Sequence, residues 1–201
     1  MILEASTFLT GITPIQMIER WVNENKASLR EPAAMSIATV DKNQMPSSRV
    51  VLAREFTKSG IIFYTNYQSA KGENLQINPK IAGSFFWDQS QKQIRFQGET
   101  KKLTADASDK YWNNRLRDSQ LSQWVSQQSK KVASREQMDS ELKLANEKFK
   151  GVQLIPRPPH WGGYEIKITQ VEFWIGHPAR FHDRFQFSLS QDQWSGIRLY
   201  P

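Results

Sequence analysis

The chain begins with an amphipathic helical pattern and then changes to a period of two. Apolar side chains recur at helical spacing from Met17 to Val22, on the buried face of a predicted helix. Thr13 precedes this helix as N-cap, Pro14 occupies its first position, and Gln16 completes a capping box. The pattern therefore predicts one well-defined helix ahead of a β-rich region.

Short runs of β-branched and aromatic residues follow, separated by turn-forming segments, and they predict strands. These runs read "AAMSIATV", "SSRVVLAREF", "GIIFYTN", "IAGSFFWD", "QIRFQGETKKL", "YEIKITQVEFWIG", "RFHDRFQFSLS" and "QWSGIRLYP". We predict short helices at "SAKGENLQINP", at "ADASDKYWNN" and at "SREQMDSELKLANEKFK". At least six strands in hairpins with short helices predict a mainly β, α+β fold built as a closed or nearly closed antiparallel barrel.

No linker or internal repeat divides the chain, so we predict one domain over residues 1–201. Within this domain, residues 1–30 form an N-terminal helical segment and residues 104–150 a helical insertion. The Pro-rich segment "IPRPPHWGG" is interpreted as a loop, because the strands after it are needed to complete the sheet.

The segment "FWIGHPARFHDRF" concentrates aromatic and cationic side chains near the end of the chain. If it is extended, alternation from Arg180 to Phe185 places the two arginines and His182 on one face. The phenylalanines and Asp183 then lie on the other face, which we assign to packing. The cationic face is interpreted as the wall of a ligand site, and a solvated hairpin is the alternative.

Composition removes several classes of protein. The chain has 201 residues and no cysteine, which excludes disulfides, thiolate metal sites and cysteine nucleophiles. No apolar run of about 18 residues and no secretory signal occur, so we expect a cytoplasmic protein without a membrane partner. The net charge of +7 favours anionic ligands. The charges are dispersed, however, so we expect no nucleic-acid partner.

Phosphate binding would depend on side chains, because neither common glycine-rich nucleotide loop is present. A metal site is not expected, since His177 and His182 lack the spacing and the carboxylates of known metal motifs. A Ser-His-Asp triad is also poorly supported. The candidate phosphate ligands are Arg49, Ser69, Lys71, Arg115, Arg117 and Ser119.

Taken together, the separated motifs resemble the pyridoxine (pyridoxamine) 5′-phosphate oxidase family from "EPAAMSIATV" to "IRLYP". The resemblance implies an FMN-binding split β-barrel that forms a homodimer, with FMN at the subunit interface. It also implies oxidation of pyridoxamine or pyridoxine 5′-phosphate to pyridoxal 5′-phosphate. Hydride would pass from the substrate C4′ to the flavin N5, with O₂ as acceptor and H₂O₂ released.

The resemblance also implies roles for individual residues. The FMN-binding residues would be Arg49, Val50, Val51, Leu52, Tyr64, Thr65, Lys71, Gln93, Gln128, Ser129, Trp174 and Arg184. The substrate-binding residues would be Arg54, Tyr111, Arg115, Ser119, Arg180 and His182, of which the last two would also be catalytic.

Two positions depart from the family pattern. Arg54 stands where the family usually has lysine, and Ala70 in "SAK" stands where it usually has arginine. One alternative is a related flavin oxidase of another ring, of the phenazine-pathway type. Another, supported by the basic charge and the two departures, is a non-catalytic protein that binds flavin, pyridoxal phosphate or nucleic acid.

Overall fold

The computed structural model of the chain describes residues 5–27 and 29–201. Its helices are α1 (Ala5–Phe8), α2 (Pro14–Glu24), α3 (Ala70–Ile77), α4 (Ala105–Asn113), α5 (Arg117–Val125) and α6 (Arg135–Lys148). Its strands are β1 (Ala34–Val40), β2 (Pro46–Leu52), β3 (Glu55–Phe56), β4 (Gly60–Asn66), β5 (Lys80–Trp87), β6 (Lys92–Lys102), β7 (Trp161–Ile175), β8 (Asp183–Ser190) and β9 (Gln193–Leu199). Within these ranges, no helix has the length and apolar character needed to cross a membrane.

The strands form a single antiparallel sheet with the order β2-β1-β5-β6-β7-β4-β3, while β8 pairs with β7 and β9 with β8. Strand β7 is 15 residues long, and two different strands pair with successive parts of one of its edges. Its first part, from Trp161 to Lys167, pairs with β4, and its last part, from Gln170 to Ile175, pairs with β8. The predicted mainly β, α+β antiparallel split barrel is confirmed.

The helix α2 closes the core on the apolar face of the sheet. The Thr13 side chain accepts from the Gln16 amide and the Gln16 side chain accepts from the Thr13 amide, so the predicted capping box is confirmed. Trp21 is buried, with its ring 5.2 Å from Phe173 and 6.4 Å from Trp87. Burial of such large rings contributes much of the stability of a core.

A second apolar cluster lies between helices α4, α5 and α6. It contains Trp112, Leu121, Ala145, Phe149, Ile155 and Trp161. The helix α5 was not predicted, since Leu116 at its N-cap provides no side-chain hydrogen bond that would mark its start. The cluster fixes these helices beside the N-terminal end of β7.

The predicted alternation from Arg180 to Phe185 is wrong at its start. A short 3-10 turn occupies Pro178–Arg180, and β8 begins only at Asp183. Ala179 and Arg180 have φ angles of 57° and 60°, so the chain there is not extended. Phe181 consequently points into solvent with 74% of its surface exposed, whereas Phe185 is buried in the core as predicted.

Candidate functional site

A basic pocket of about 470 Å³ opens between β2, β4, the start of α3 and the segment that follows α5. Eleven residues predicted to bind cofactor or substrate line it. They are Arg49, Val50, Val51, Leu52, Arg54, Tyr64, Thr65, Lys71, Arg115, Gln128 and Ser129. The structure therefore brings together residues from five separate motifs of the sequence.

Lys71 lies at the bottom of the basic pocket, in the first turn of α3. Its Nζ donates to Thr65 Oγ1 at 3.1 Å, to Ser69 Oγ at 3.1 Å and to Gln128 Oε1 at 2.8 Å. Burial, with a smaller contribution from nearby Arg49, lowers the pKa of Lys71 to about 8. A buried ammonium whose partners are all neutral favours an anion beside it.

The position of α3 depends on a close approach to the end of β4. Gly72 lies so near this strand that an added Cβ would collide with the carbonyl group of Tyr67. The Ser69 side chain also accepts from the Gly72 amide at 3.4 Å, as the predicted N-cap. The first turn of α3 is thereby held with its amide groups at the basic pocket, where they favour a phosphate.

Arg49 forms the opposite wall, on β2. Its guanidinium donates to Thr39 Oγ1 at 2.7 Å, to the Ser47 carbonyl at 3.0 Å and to Ser47 Oγ at 2.7 Å. Partial burial lowers the pKa of Arg49 from its usual value. Asn74 of α3 donates to the same Thr39 hydroxyl at 3.1 Å, which ties the two walls together.

Aromatic rings form a third wall. Tyr64 stacks on Tyr111 with ring centres 3.7 Å apart and planes 11° apart, and on Trp161 at 5.4 Å. The Arg115 guanidinium lies 4.9 Å from the Trp161 ring centre, within the range of a cation–π contact. The Tyr64 hydroxyl donates to Glu55 Oε1 at 2.8 Å, while burial, chiefly, raises the pKa of this tyrosine.

The cations of the basic pocket are uncompensated. Within the described ranges, none of Arg49, Arg54, Lys71 and Arg115 forms a salt bridge. Burial lowers the pKa of Arg115, and nearby Arg54 adds to this effect. The Arg115 Nε is buried and has no hydrogen-bond partner among the described residues. Lys71 is buried, Arg49 and Arg115 are half-buried, and Arg54 is exposed. Cations without carboxylate partners are typical of sites for anionic ligands.

A second group of predicted residues lies elsewhere, in a row across three strands. Gln93 of β6 pairs with Trp174 of β7, and Trp174 pairs with Arg184 of β8. The ring of His182 lies 4.6 Å from the ring of Trp174, and Arg180 is exposed in the adjoining turn. We call Gln93, Trp174, Arg180, His182 and Arg184 the strand row.

Glu172 orients Arg184 of the strand row. It is buried, and it accepts from Arg184 Nε at 2.8 Å and from a second guanidinium nitrogen at 3.1 Å. The hydrogen bond to Glu172 raises the pKa of Arg184. Arg95 lies 3.7 Å from the same carboxylate. The bidentate pair fixes the plane of the Arg184 guanidinium.

The two groups lie far apart along β7. Tyr64 of the basic pocket pairs with Gly163, while Trp174 of the strand row is eleven positions further along the strand. This separation corresponds to about 36 Å along a straight strand. The structure therefore does not bring Gln93, Trp174, Arg180, His182 and Arg184 to the basic pocket of the same chain.

Comparison with known proteins identifies the family. Residues 22–153 match the pyridoxamine 5′-phosphate oxidase family. The chain belongs to the pyridoxamine 5′-phosphate oxidase family. Residues 161–201 match the C-terminal dimerisation region of pyridoxine 5′-phosphate oxidase, which supports a homodimer. Membership of this family also supports an oxidoreductase with a flavin cofactor.

Relatives named pyridoxine/pyridoxamine 5′-phosphate oxidase align over nearly the whole chain. The protein from Mannheimia succiniciproducens is 40% identical over 189 residues, covering 94% of this chain and 89% of the relative. The protein from a Psychrobacter species is 42% identical over 192 residues, with the same two coverages. Both alignments include the basic pocket and the strand row.

Solved structures agree with the fold. PhzG from Burkholderia lata, in complex with tetrahydrophenazine-1-carboxylic acid, has a TM-score of 0.91 and 28% identity, covering 100% of this chain and 98% of PhzG. A pyridoxamine 5′-phosphate oxidase-related, FMN-binding protein from Nostoc punctiforme has a TM-score of 0.77 and 19% identity. It covers 95% of this chain and 99% of its own, and supports the fold alone.

The two remaining predicted residues, Tyr111 and Ser119, do not line the pocket. Tyr111 supports Tyr64 from behind, and Ser119 lies half-buried in the first turns of α5. Gln123 and Trp161 also line the basic pocket, and neither was predicted from the sequence. Trp161 comes directly after the Pro-rich loop, and its sequence context does not distinguish it from other buried tryptophans. Its contacts with Tyr64 and Arg115 appear only in the folded chain.

Proposed function

We propose that the chain is an FMN-dependent oxidase that converts pyridoxamine or pyridoxine 5′-phosphate to pyridoxal 5′-phosphate. O₂ is the acceptor, and H₂O₂ is released; with the amine substrate, water hydrolyses the resulting imine to the aldehyde, and ammonia is released. The observation that carries this proposal is the presence of two uncompensated pairs of cations in one pocket. Arg49 and Lys71 form one pair, and Arg54 and Arg115 form the other. Two phosphate groups, one from the cofactor and one from the substrate, match two such pairs.

The residues present fit FMN. The first turn of α3, with Lys71, and the Arg49 guanidinium would hold its phosphate. Tyr64, Thr65, Gln128 and Ser129, together with Val50, Val51 and Leu52 of β2, would line the rest of its site. The donors are cationic or neutral, which is the chemistry that a phosphate dianion requires.

The second pair fits the substrate phosphate. The Arg115 Nε is buried without a hydrogen-bond partner among the described residues, and no carboxylate lines the pocket. Arg54 lies near enough to lower the pKa of Arg115. Tyr111 and Ser119 would complete this clamp. Arginine at position 54 can bind two phosphate oxygens at once, whereas a lysine would act as a point charge.

The strand row would come from a second copy of the chain. None of the five residues of the row lines the basic pocket of its own chain, and Trp174 lies eleven positions along β7 from Gly163, which pairs with Tyr64. The dimerisation region includes Trp174, Arg180, His182 and Arg184, which supports the proposal that the homodimer interface brings these residues to the partner's pocket. Gln93 is their neighbour on β6.

The chemistry then depends on orientation. Bound FMN would supply a hydride acceptor for the substrate C4′, with O₂ as the final acceptor. Arg54 and Arg115 hold the phosphate end of the substrate, while Arg180 and His182 of the other copy hold the pyridine ring. Fixing both ends aligns C4′ and is worth about 7–11 kcal/mol of barrier in favourable cases. The stacked rings of Tyr64 and Tyr111 exclude water from one side.

A second candidate is a flavin oxidase that acts on another ring. Its support is the overall likeness to PhzG, which was solved with a tetrahydrophenazine carboxylic acid. The phosphate clamp of Arg54 and Arg115 favours the vitamin B6 phosphates, since an unphosphorylated tricycle leaves both cations unpaired. A non-catalytic protein that binds flavin or pyridoxal phosphate would keep the basic pocket without turnover.

The deciding experiment is FMN uptake followed by turnover. We expect the purified protein to bind FMN at micromolar concentration and to release H₂O₂ with pyridoxamine or pyridoxine 5′-phosphate. The unphosphorylated amine is the matched control, and we expect its kcat/KM to be lower by at least about a hundredfold. Absence of FMN uptake would contradict the flavin oxidase. Uptake without turnover of either phosphate would favour the second candidate or a binding protein.

A further inference from the structure

The turn before β8 contains a polar network in which His177, Asp183 and Arg198 have no role in the proposed ligand contacts. The backbone N–H of His177 donates to Nδ1 of His182 at 3.1 Å. The ring Nε2 of His177 lies 2.7 Å from Oδ2 of Asp183. Asp183 also accepts from Arg198, whose guanidinium lies 5.3 Å from the Phe185 ring centre. The network therefore connects His182, through His177, to the first residue of β8 and to β9.

The backbone of this turn needs such an anchor. Ala179 and Arg180 are consecutive residues in the left-handed region, which side chains other than glycine rarely adopt. The backbone hydrogen bond across the turn, from Phe181 to Pro178, is long at 3.4 Å. Next to this long hydrogen bond, the contact between His177 and Asp183 connects the turn to β8.

The bond to Nδ1 determines where His182 carries its proton. A backbone N–H can only donate, so Nδ1 must be the unprotonated, accepting nitrogen of the neutral imidazole. The proton of the neutral ring then lies on Nε2, which is available to donate to a ligand.

We infer that His177 is a positioning residue that fixes His182 as an Nε2–H donor. This inference rests on the proposed function for its role in turnover. The tautomer of His182 is a property of the protein without ligands and does not depend on the proposed function. An N–H donor selects a substrate ring that presents an acceptor atom at this point, and it disfavours a ring that presents a donor.

The side-chain contact between His177 and Asp183 can be removed without removing the backbone N–H that donates to His182. His177→Ala removes the ring contact with Asp183 but keeps the backbone N–H. His177→Gln keeps a side-chain N–H donor for Asp183, which makes it the conservative variant. His160 is a matched control, because its Nε2 lies 3.1 Å from the Gln123 carbonyl, in a different part of the fold.

The test is ¹⁵N NMR of the three histidines in the FMN-free protein, in mildly alkaline buffer where imidazoles are neutral. We expect His182 to be the Nε2–H tautomer in the unmodified chain and in the His177→Gln and His160→Gln variants. We expect a mixture of tautomers in His177→Ala. A proton on Nδ1 in the unmodified chain, or the same tautomer in His177→Ala as in the unmodified chain, would overturn the inference.

Turnover provides the second readout. His177→Ala should lower kcat/KM for the phosphorylated amine by about tenfold, because His182 is no longer held. Its FMN dissociation constant should stay within about twofold of the unmodified value, and His177→Gln should restore kcat/KM. An unchanged kcat/KM in His177→Ala contradicts the role in turnover. Because the tautomer is read without FMN, failure of the proposed oxidase leaves that measurement intact.

Discussion

At the scale of single residues, the basic pocket depends on cations that the fold buries without carboxylate partners. Lys71 is surrounded by three neutral oxygens, and Arg115 keeps one buried nitrogen without a partner. Such groups raise the free energy of the empty pocket, because desolvated charge is unfavourable until an anion arrives. Ligand binding recovers this free energy, so these residues should influence affinity more than they stabilise the fold.

The pKa of Lys71 predicts how FMN affinity depends on pH. Above about pH 8, where the phosphate is already a dianion, the amine of the FMN-free protein loses its charge. Affinity should then fall by up to about tenfold per pH unit. Flavin-fluorescence titrations from neutral to alkaline pH measure this decline. In Lys71→Met, FMN affinity should be weaker at all these pH values. The decline above pH 8, which reflects the loss of about one proton from Lys71, should disappear. An unchanged pH dependence in Lys71→Met would contradict the assignment.

The same pKa predicts a stability trend in the FMN-free protein. Burial lowers the pKa of Lys71 from 10.5 to about 8, so between these values the unfolded chain keeps a proton that the folded chain has released. The free energy of unfolding should therefore rise with pH across this window. Urea unfolding of the unmodified chain and of Lys71→Met measures the difference. A contribution that falls with pH would show that Lys71 is stabilised in its charged form.

Arg49 and Arg180 should have different effects on binding and turnover. Arg49→Ala removes a charge from the proposed FMN phosphate site, and we expect the FMN dissociation constant to rise about 10- to 100-fold. Arg180→Ala should lower kcat about a hundredfold through lost orientation, with FMN retained. Arg20→Ala, which breaks an exposed ion pair with Glu24 on α2, is the control. Equal effects of both site variants on binding and turnover would argue against this division of roles.

At the scale of elements, the structure shows which local patterns determine the fold. The helix α2 could be predicted because Thr13 and Gln16 mark its start, and Ser69 and Thr104 mark α3 and α4 in the same way. The Pro178–Arg180 turn could not be predicted, because the left-handed conformation of Ala179 follows from its anchors and not from residue type.

The residues of the candidate site could be predicted from the sequence, but their arrangement in the fold could not. The motifs on β2 and α3 could be recognised individually, since each contains a cation beside a strand or helix start. Their assembly could not, because the stacking of Tyr64 on Tyr111 and the burial of Trp161 depend on how the helical insertion packs. The separation of the strand row from the basic pocket follows from the pairing of β7 with β4 and β8.

The capping box of α2 gives a prediction for stability alone. Thr13→Ala removes the side-chain acceptor of the Gln16 amide, and we expect the free energy of unfolding to fall by about 1 kcal/mol. FMN affinity should not change, because α2 covers the core and does not line the basic pocket. Urea unfolding and flavin titration of the same preparation measure the two quantities. A loss of FMN affinity at full folding would show that α2 influences the site.

At the scale of the whole molecule, the proposed site needs residues from two copies of the chain. The basic pocket contains the proposed phosphate ligands, and the strand row contains the residues proposed to contact the rings. In the proposed two-fold dimer, each pocket would meet the row of the other chain, which would form two equivalent sites. The positive net charge of +7 also favours approach of the two anionic ligands.

The most direct test of an oxidase site shared between two chains is the activity of mixed dimers. Arg115→Ala alters the basic pocket and Arg180→Ala alters the strand row, and each variant alone should be nearly inactive with pyridoxamine 5′-phosphate at saturating FMN. A purified dimer of one chain of each kind has one doubly altered site and one unaltered site. We expect it to release H₂O₂ at about half the rate of the unmodified dimer. An inactive mixed dimer would contradict the shared site.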